Sequence, residues 1–169
     1  MPIYDIRFGK KLAEIAQIVI VEGLLTIDAQ RTVLYLSLLS IEITLKAILE
    51  HAGKPVADIR VLSHSLAKLL SELSKCEVEV EVAPGERTYV SASRLRACVL
   101  KNGSAESTVG EILDAESLGA SVYPNKIRYG DVLSHFPAEV VAEAAAKVAL
   151  FAHECWQNIR YNKIGVENG

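Results

Sequence analysis

The sequence predicts a mainly α protein: a four-helix up-and-down bundle, with a small inserted β-hairpin and short helices between the third and last core helices. Three observations predict it. Residues 28–53 form one long, predominantly apolar stretch. Apolar residues recur at i, i+3, i+4, i+7 in 9–23, 64–75 and 137–160, the spacing of one helix face. Over 77–82, Glu and Val alternate strictly, and a period of two is a strand signal.

The long stretch organises the rest. At about 1.5 Å per residue its helix spans roughly 35 Å. Asp28 suits its start, and Gly53 followed by Pro55 ends it. Val33, Leu34, Leu36, Leu38, Ile41, Ile43, Leu45 and Ile48 cover most of its circumference, so several neighbours must bury it. Two polar stripes interrupt the apolar surface. Arg31, Glu42, Lys46 and Glu50 share one side, with Glu42 and Lys46 at ion-pair spacing. Ser37, Ser40, Thr44 and His51 share the other, where small hydroxyls permit close approach of another helix.

In chain order, Leu12, Ile15, Ala16 and Val19 mark a first helix over 9–23, and a short connection makes it an antiparallel neighbour of the second. Residues 54–62 read as a loop. Leu66, Leu69, Leu70 and Leu73 mark a third helix over 64–75, capped by Ser63 or Ser65. Val78, Val80 and Val82 face one way in a strand that turns at Pro84-Gly85 and pairs back over 86–91. Short helices are expected over 94–101, capped by Ser93, and over 111–118. The last helix runs from Pro137 to Arg160, with Val141, Ala144, Ala145, Val148, Ala152, Cys155 and Ile159 as its apolar stripe. The chain reads as one domain, residues 1–169, with 76–120 as an insertion.

Composition excludes several function classes. The net charge is −3 and hydrophobic residues are 50% of 169. An acidic pI of about 5.8 argues against strong non-specific nucleic-acid binding. Cys76, Cys98 and Cys155 form no CxxC pair and read as free thiols of a reducing cytoplasm. The N-terminal residues are too charged for a signal peptide, and the apolar run 15–25 is too short to span a bilayer, so no membrane role is expected. His51, His64, His135 and His153 lack metal-ligand spacing, so no metal and no cofactor are expected.

The chemistry-bearing motifs lie on the helices and before the last one. Ser40-Ile41-Glu42-Ile43-Thr44-Leu45-Lys46-Ala47 resembles the S-x-E-x-x-L-K-A helix of the HEPN family of small helical domains. His64-Ser65-Leu66, with Leu69 or Leu70, is similar to that family's H-D-L-x-x-L. Arg128-Tyr129-Gly130-Asp131 resembles an R-Y-P-D element that precedes the last helix in one branch. The likeness spans roughly 10–75 and 123–160.

The resemblance implies a four-helix core, homodimerisation and association with nucleotides or RNA. It also implies two functional readings. In the first, the chain is a non-catalytic binding or accessory protein that works with a nucleotidyltransferase-type partner. In the second it is a metal-independent endoribonuclease of toxin or defence type. Family ribonucleases carry an arginine and a histidine four to six residues apart, and Arg128 and His135 have six residues between them. A histidine supplies the base or acid that 2′-hydroxyl attack needs, and an arginine grips the phosphate. The competing structural role pairs Arg128 with Asp131, Asp114 or Glu116 and uses His135 as a cap. Tyr129 stands where asparagine often follows the arginine, and Ser65 where H-D-L has aspartate; both favour the non-catalytic reading. Tyr129 and His64 are the candidate ligand-binding residues beside Arg128 and His135, with a helix-start packing role as the alternative for His64.

Overall fold

The computed structural model describes residues 1–101, 107–115, 123–129 and 136–162, and the protein is mainly helical with a small antiparallel sheet. The first long helix, α1, spans Ile6–Glu22. Asp5 caps it, accepting a hydrogen bond from the Arg7 amide at 2.8 Å, and Gly23 ends it at φ 121°. The second, α2, spans Ile27–His51. Thr26 caps α2, accepting from the Ala29 amide at 3.1 Å. The expected cap, Asp28, instead sits in the first turn, where its charge still complements the amide end of the helix. Gly53, at φ 94°, turns the chain away.

By length and composition α2 is apolar enough to cross a bilayer, yet 72% of its apolar window is buried inside the fold. Ser37, Ser40 and Thr44 are fully buried. Gly9 of α1 lies directly on Ser40 and Thr44, and the Ser40 hydroxyl donates to the Gly9 carbonyl at 2.6 Å. The small-residue stripe therefore seats α1 within the same chain. Gly9 therefore occupies the surface over Ser40 and Thr44.

After Pro55 the chain forms a short helix, α3, Val56–Val61, in the segment expected to be a loop. Ser63, at φ 53°, separates it from α4, Leu66–Leu73, which Ser65 caps. The helix expected over 64–75 is thus eight residues long, shorter than its periodicity implied. It packs on α2, while α1, α2 and the final helix α7, Ala138–Cys155, pack on one another. Alanines at 142, 144, 145 and 152 in α7 are buried, allowing backbones to approach closely.

The alternating stretch forms β1, Cys76–Ala83, antiparallel to β2, Glu86–Ser91, with Val78 opposite Val90 and Val80 opposite Thr88. Gly85 takes φ 80° in the turn. Val78 is buried and Val82 is exposed, so only the base of the hairpin contributes to the core. A 3₁₀ turn follows at Ala92–Ala97, capped by Ser91 rather than Ser93. Two short strands, β3 (Val99–Leu100) and β4 (Ser107–Thr108), pair with each other. A capping box of Thr108 and Glu111 starts α5, Val109–Asp114. The last short helix, α6, is Asn125–Arg128.

The end of the chain corrects the sequence reading. Helix α7 stops at Cys155, and β5, Ile159–Tyr161, joins the free edge of β1 in the order β2-β1-β5. Ile159 lies opposite Val78 and Arg160 opposite Glu77. Ile159 continues the apolar period of α7, so the helical pattern ran on past the true helix end. The open edge of β1 won because it offers unpaired backbone groups to a chain that has already turned. Side chains reinforce the closure. The Tyr161 hydroxyl donates to Glu72 at 3.0 Å, and Lys54 reaches Glu72 at 2.8 Å.

Candidate functional site

The site is built on the polar stripe of α2. Glu42 and Lys46 project one turn apart from the same helix face, and their side chains are only 6% and 9% exposed. Lys46 Nζ donates to Glu42 Oε1 at 2.7 Å. His64, at the start of the α4 segment, brings Nδ1 to 3.0 Å from Oε1 and 3.1 Å from Oε2 of Glu42. Tyr123, just before α6, donates its hydroxyl to Oε2 of Glu42. One buried carboxylate is thus surrounded by donors from three separate stretches of chain.

Burial pushes the Glu42 carboxyl upward, but hydrogen bonds from Lys46, Tyr123 and His64, with the Lys46 charge, together hold it below the usual carboxylate range. Glu42 is therefore ionised at neutral pH. Burial first, and then the Glu42 charge, push the Tyr123 phenol well above its ordinary value, so Tyr123 stays a neutral donor. Lys46 also lies over the Tyr4 ring, 5.6 Å from its centroid.

The cluster continues into an open cleft. The Tyr123 ring lies 6.4 Å from His64 and 6.0 Å from Tyr35. Arg128 donates from Nε to the Tyr35 hydroxyl at 3.1 Å, and its guanidinium stands over that ring, 5.8 Å from the centroid. The Tyr35 hydroxyl contact raises the basicity of Arg128 further, so its charge is permanent. Arg31 positions this arginine. Its guanidinium donates to the Ile127 carbonyl at 2.8 Å and the Arg128 carbonyl at 3.2 Å, holding the last turn of α6. The resulting cleft has a volume of about 400 Å³ and is lined by Asp28, Arg31, Thr32, Tyr35, Ile127 and Arg128.

The expected residues fall in different places. His64 does not cap α4, a role Ser65 fills; it is held by Glu42 instead. Arg128 lines the cleft. Asp114, one of its anticipated partners, pairs with Arg96. Tyr129 is 87% exposed and stands outside the buried cluster. His135, Gly130, Asp131 and Glu116 lie outside the described residues. No group of three or more His, Cys, Asp or Glu with metal-binding proximity occurs among the described residues.

Two residues escaped the sequence reading altogether. Tyr35 sits in an apolar run and reads as core, and Tyr123 sits in a turn. Only a partner far along the chain gives either a role: Tyr123 and Glu42 are 81 positions apart. The Glu42–Lys46 spacing was the one local signal for the cluster.

What the arrangement offers chemically is recognition. An exposed guanidinium beside a tyrosine and an apolar wall suits an anionic ligand carrying a planar group, since arginine forms forked hydrogen bonds to phosphate oxygens. Asp28 and Thr32 add an acceptor and a hydroxyl on the same wall. Comparison with protein-family models, curated proteins and solved structures gives no match for this chain.

Proposed function

We propose that this chain is a HEPN-like, non-catalytic binding or accessory protein for a nucleotide or RNA. The single observation that carries this reading is convergence. Glu42 and Lys46 from the first quoted stretch meet His64 from the second, and Arg128 from the third lines the cleft beside them through Tyr35 and Tyr123. On this reading α4 counts as the short third helix of a four-helix bundle that α7 completes, and residues 76–120 are the insertion. The cleft takes the ligand: Arg128 grips a phosphate, and Tyr35 with exposed Tyr129 offers ring surface to a base.

The same reading makes the protein a cytoplasmic homodimer that also engages a nucleotidyltransferase-type partner. Free Cys76, Cys98 and Cys155 support a reducing compartment. Phe8, Ile15 and Ile18 on α1 and Leu150 on α7 leave apolar surface exposed, which supports an interface between copies. Burial of α2 supports a core helix rather than a membrane span. The ribonuclease alternative depends on His135, which lies outside the described residues, and no observation favours it.

The test is binding of fluorescein-labelled single-stranded RNA and of AMP to purified protein. Arg128→Ala should weaken both by about tenfold or more, because a hydrogen bond to a charged group contributes roughly 1.5–3 kcal/mol. Its melting temperature should not move, since Arg128 is at the surface of the cleft. Equal binding by wild type and variant, or none by wild type at millimolar AMP, would remove the proposal.

A further inference from the structure

Helix α1 has two apolar faces. The inner one, with Gly9, Leu12, Ala13 and Ala16, is buried within the chain. On the outer one Phe8, Ile15 and Ile18 are 51%, 38% and 56% exposed, and Lys11 and Glu22 on the same side are exposed too. At 3.6 residues per turn these five positions share an arc of about 80°. Their steps alternate between three and four residues, the spacing of a coiled-coil seam. Leu25, fully exposed, follows in the connection past Gly23. A row of apolar side chains left in water marks an interaction surface.

The order of residues along the seam selects what covers it. It reads Phe8, Lys11, Ile15, Ile18, Glu22, Leu25. From either end the pattern is apolar, charged, apolar, apolar, charged, apolar, and the two charges are opposite in sign. Laid antiparallel on a second copy, about a two-fold axis level with the Ala16–Gln17 bond, the seam meets its own complement. Ile15 meets the partner's Ile18, Lys11 meets the partner's Glu22, and Phe8 meets the partner's Leu25. Each contact occurs twice, as an isologous interface requires. A parallel pair would set Lys11 on Lys11 and Glu22 on Glu22, where like charges repel. An antiparallel pair slid by one heptad would set Lys11 against the partner's Ile15 and leave Glu22 unmatched. Within its own chain Lys11 reaches Glu14 at 3.3 Å, with side chains 66% and 47% exposed. So exposed a pair holds Lys11 weakly and leaves it free to reach across.

We propose that the outer face of α1 is the homodimer surface and packs on the same face of a second copy in this antiparallel register. The proposal rests on the homodimer reading above and names its surface. The apolar positions supply the attraction, and the two Lys11–Glu22 pairs fix direction and register.

Sedimentation equilibrium of the full chain tests it. Wild type should be dimeric at tens of micromolar. Lys11→Glu and Glu22→Lys should each raise the dimer dissociation constant by about tenfold or more, because by symmetry each change turns two attractions into two repulsions. Lys11→Glu/Glu22→Lys rebuilds both opposite-charge pairs and should return to within about threefold of wild type. The substituted positions are exposed, so circular dichroism spectra should match throughout. A dimer that neither single variant weakens, or a double variant as weak as the singles, overturns the inference and leaves the homodimer reading intact. A monomeric wild type removes both. If that monomer sediments with phosphatidylglycerol vesicles, the face belongs to a lipid surface and the inference is equally overturned.

Discussion

Replacing Glu42 by glutamine tests the central cluster. Its oxygens are fully used: Oε1 takes Lys46, Oε2 takes Tyr123, and His64 Nδ1 reaches both. Whichever oxygen becomes the amide nitrogen, a donor then faces a donor. Lys46, 9% exposed, also loses its counter-charge. Breaking a buried pair in this way costs about 3–5 kcal/mol. A change of 1 kcal/mol moves the melting temperature of a chain this size by about 2–4 °C, so Glu42→Gln should melt roughly 6–20 °C lower. The pair is nearly inaccessible to ions, so 1 M salt should change the difference little. Glu42→Gln/Lys46→Met removes the stranded charge and should recover a substantial part of the loss. Calorimetry at pH 7 is the assay. A drop of less than about 3 °C, or a double variant no better than the single, would mean that water reaches Lys46 and that the cluster is not the closed network its geometry describes.

Three further outcomes follow from the same structure. A Cβ at residue 9 would stand 2.2 Å from Thr44 Oγ1 and 3.3 Å from the Ser40 carbonyl oxygen. Overpacking of about 1–3 kcal/mol outweighs the roughly 0.5–1 kcal/mol that alanine gains over glycine in a helix, so Gly9→Ala should lower urea stability, and Thr44→Ala should partly restore it. A stabilising Gly9→Ala would refute this account of α1 packing. Burial raises the Glu72 carboxyl, but Lys54, Lys75 and Tyr161 outweigh it and bring it down to about 2. Because its folded value lies below the ordinary 4.5, its contribution is present above pH 4.5 and is lost as pH falls toward 2. Acid unfolding followed by circular dichroism should lose part of its pH dependence in that window in Glu72→Gln. Burial pushes the Cys76 and Cys155 thiols up to about 12, while Cys98 is only half-buried. Iodoacetamide on native protein at pH 8 should modify Cys98 first, as mass spectrometry would show, and equal labelling of all three would contradict the described core.

The sequence by itself determined the local decisions. Residues 28–53 were apolar on nearly every side, and such a helix must be enclosed by packed neighbours or by lipid. The Glu–Val alternation over 77–82 excluded a helix there because a period of two cannot keep valines on one helical face. Where the reading went astray, a distant partner prevailed over local pattern. Ile159 fitted the stripe of the last helix, but the open edge of β1 took it. Asp28 is a good capping residue, but Thr26 stands where the helix begins. Most of the candidate site lay beyond local pattern. Glu42 and Lys46 announced an ion pair, but not that it would be buried. Its burial, the engagement of His64 from 22 positions away, and that of Tyr123 from 81 exist only once the chain has folded back on α2. Hydrogen bonds and packing act within a few ångströms of space, and periodicity records only neighbours along the chain, so residues that meet across such separations leave no mark on the sequence between them.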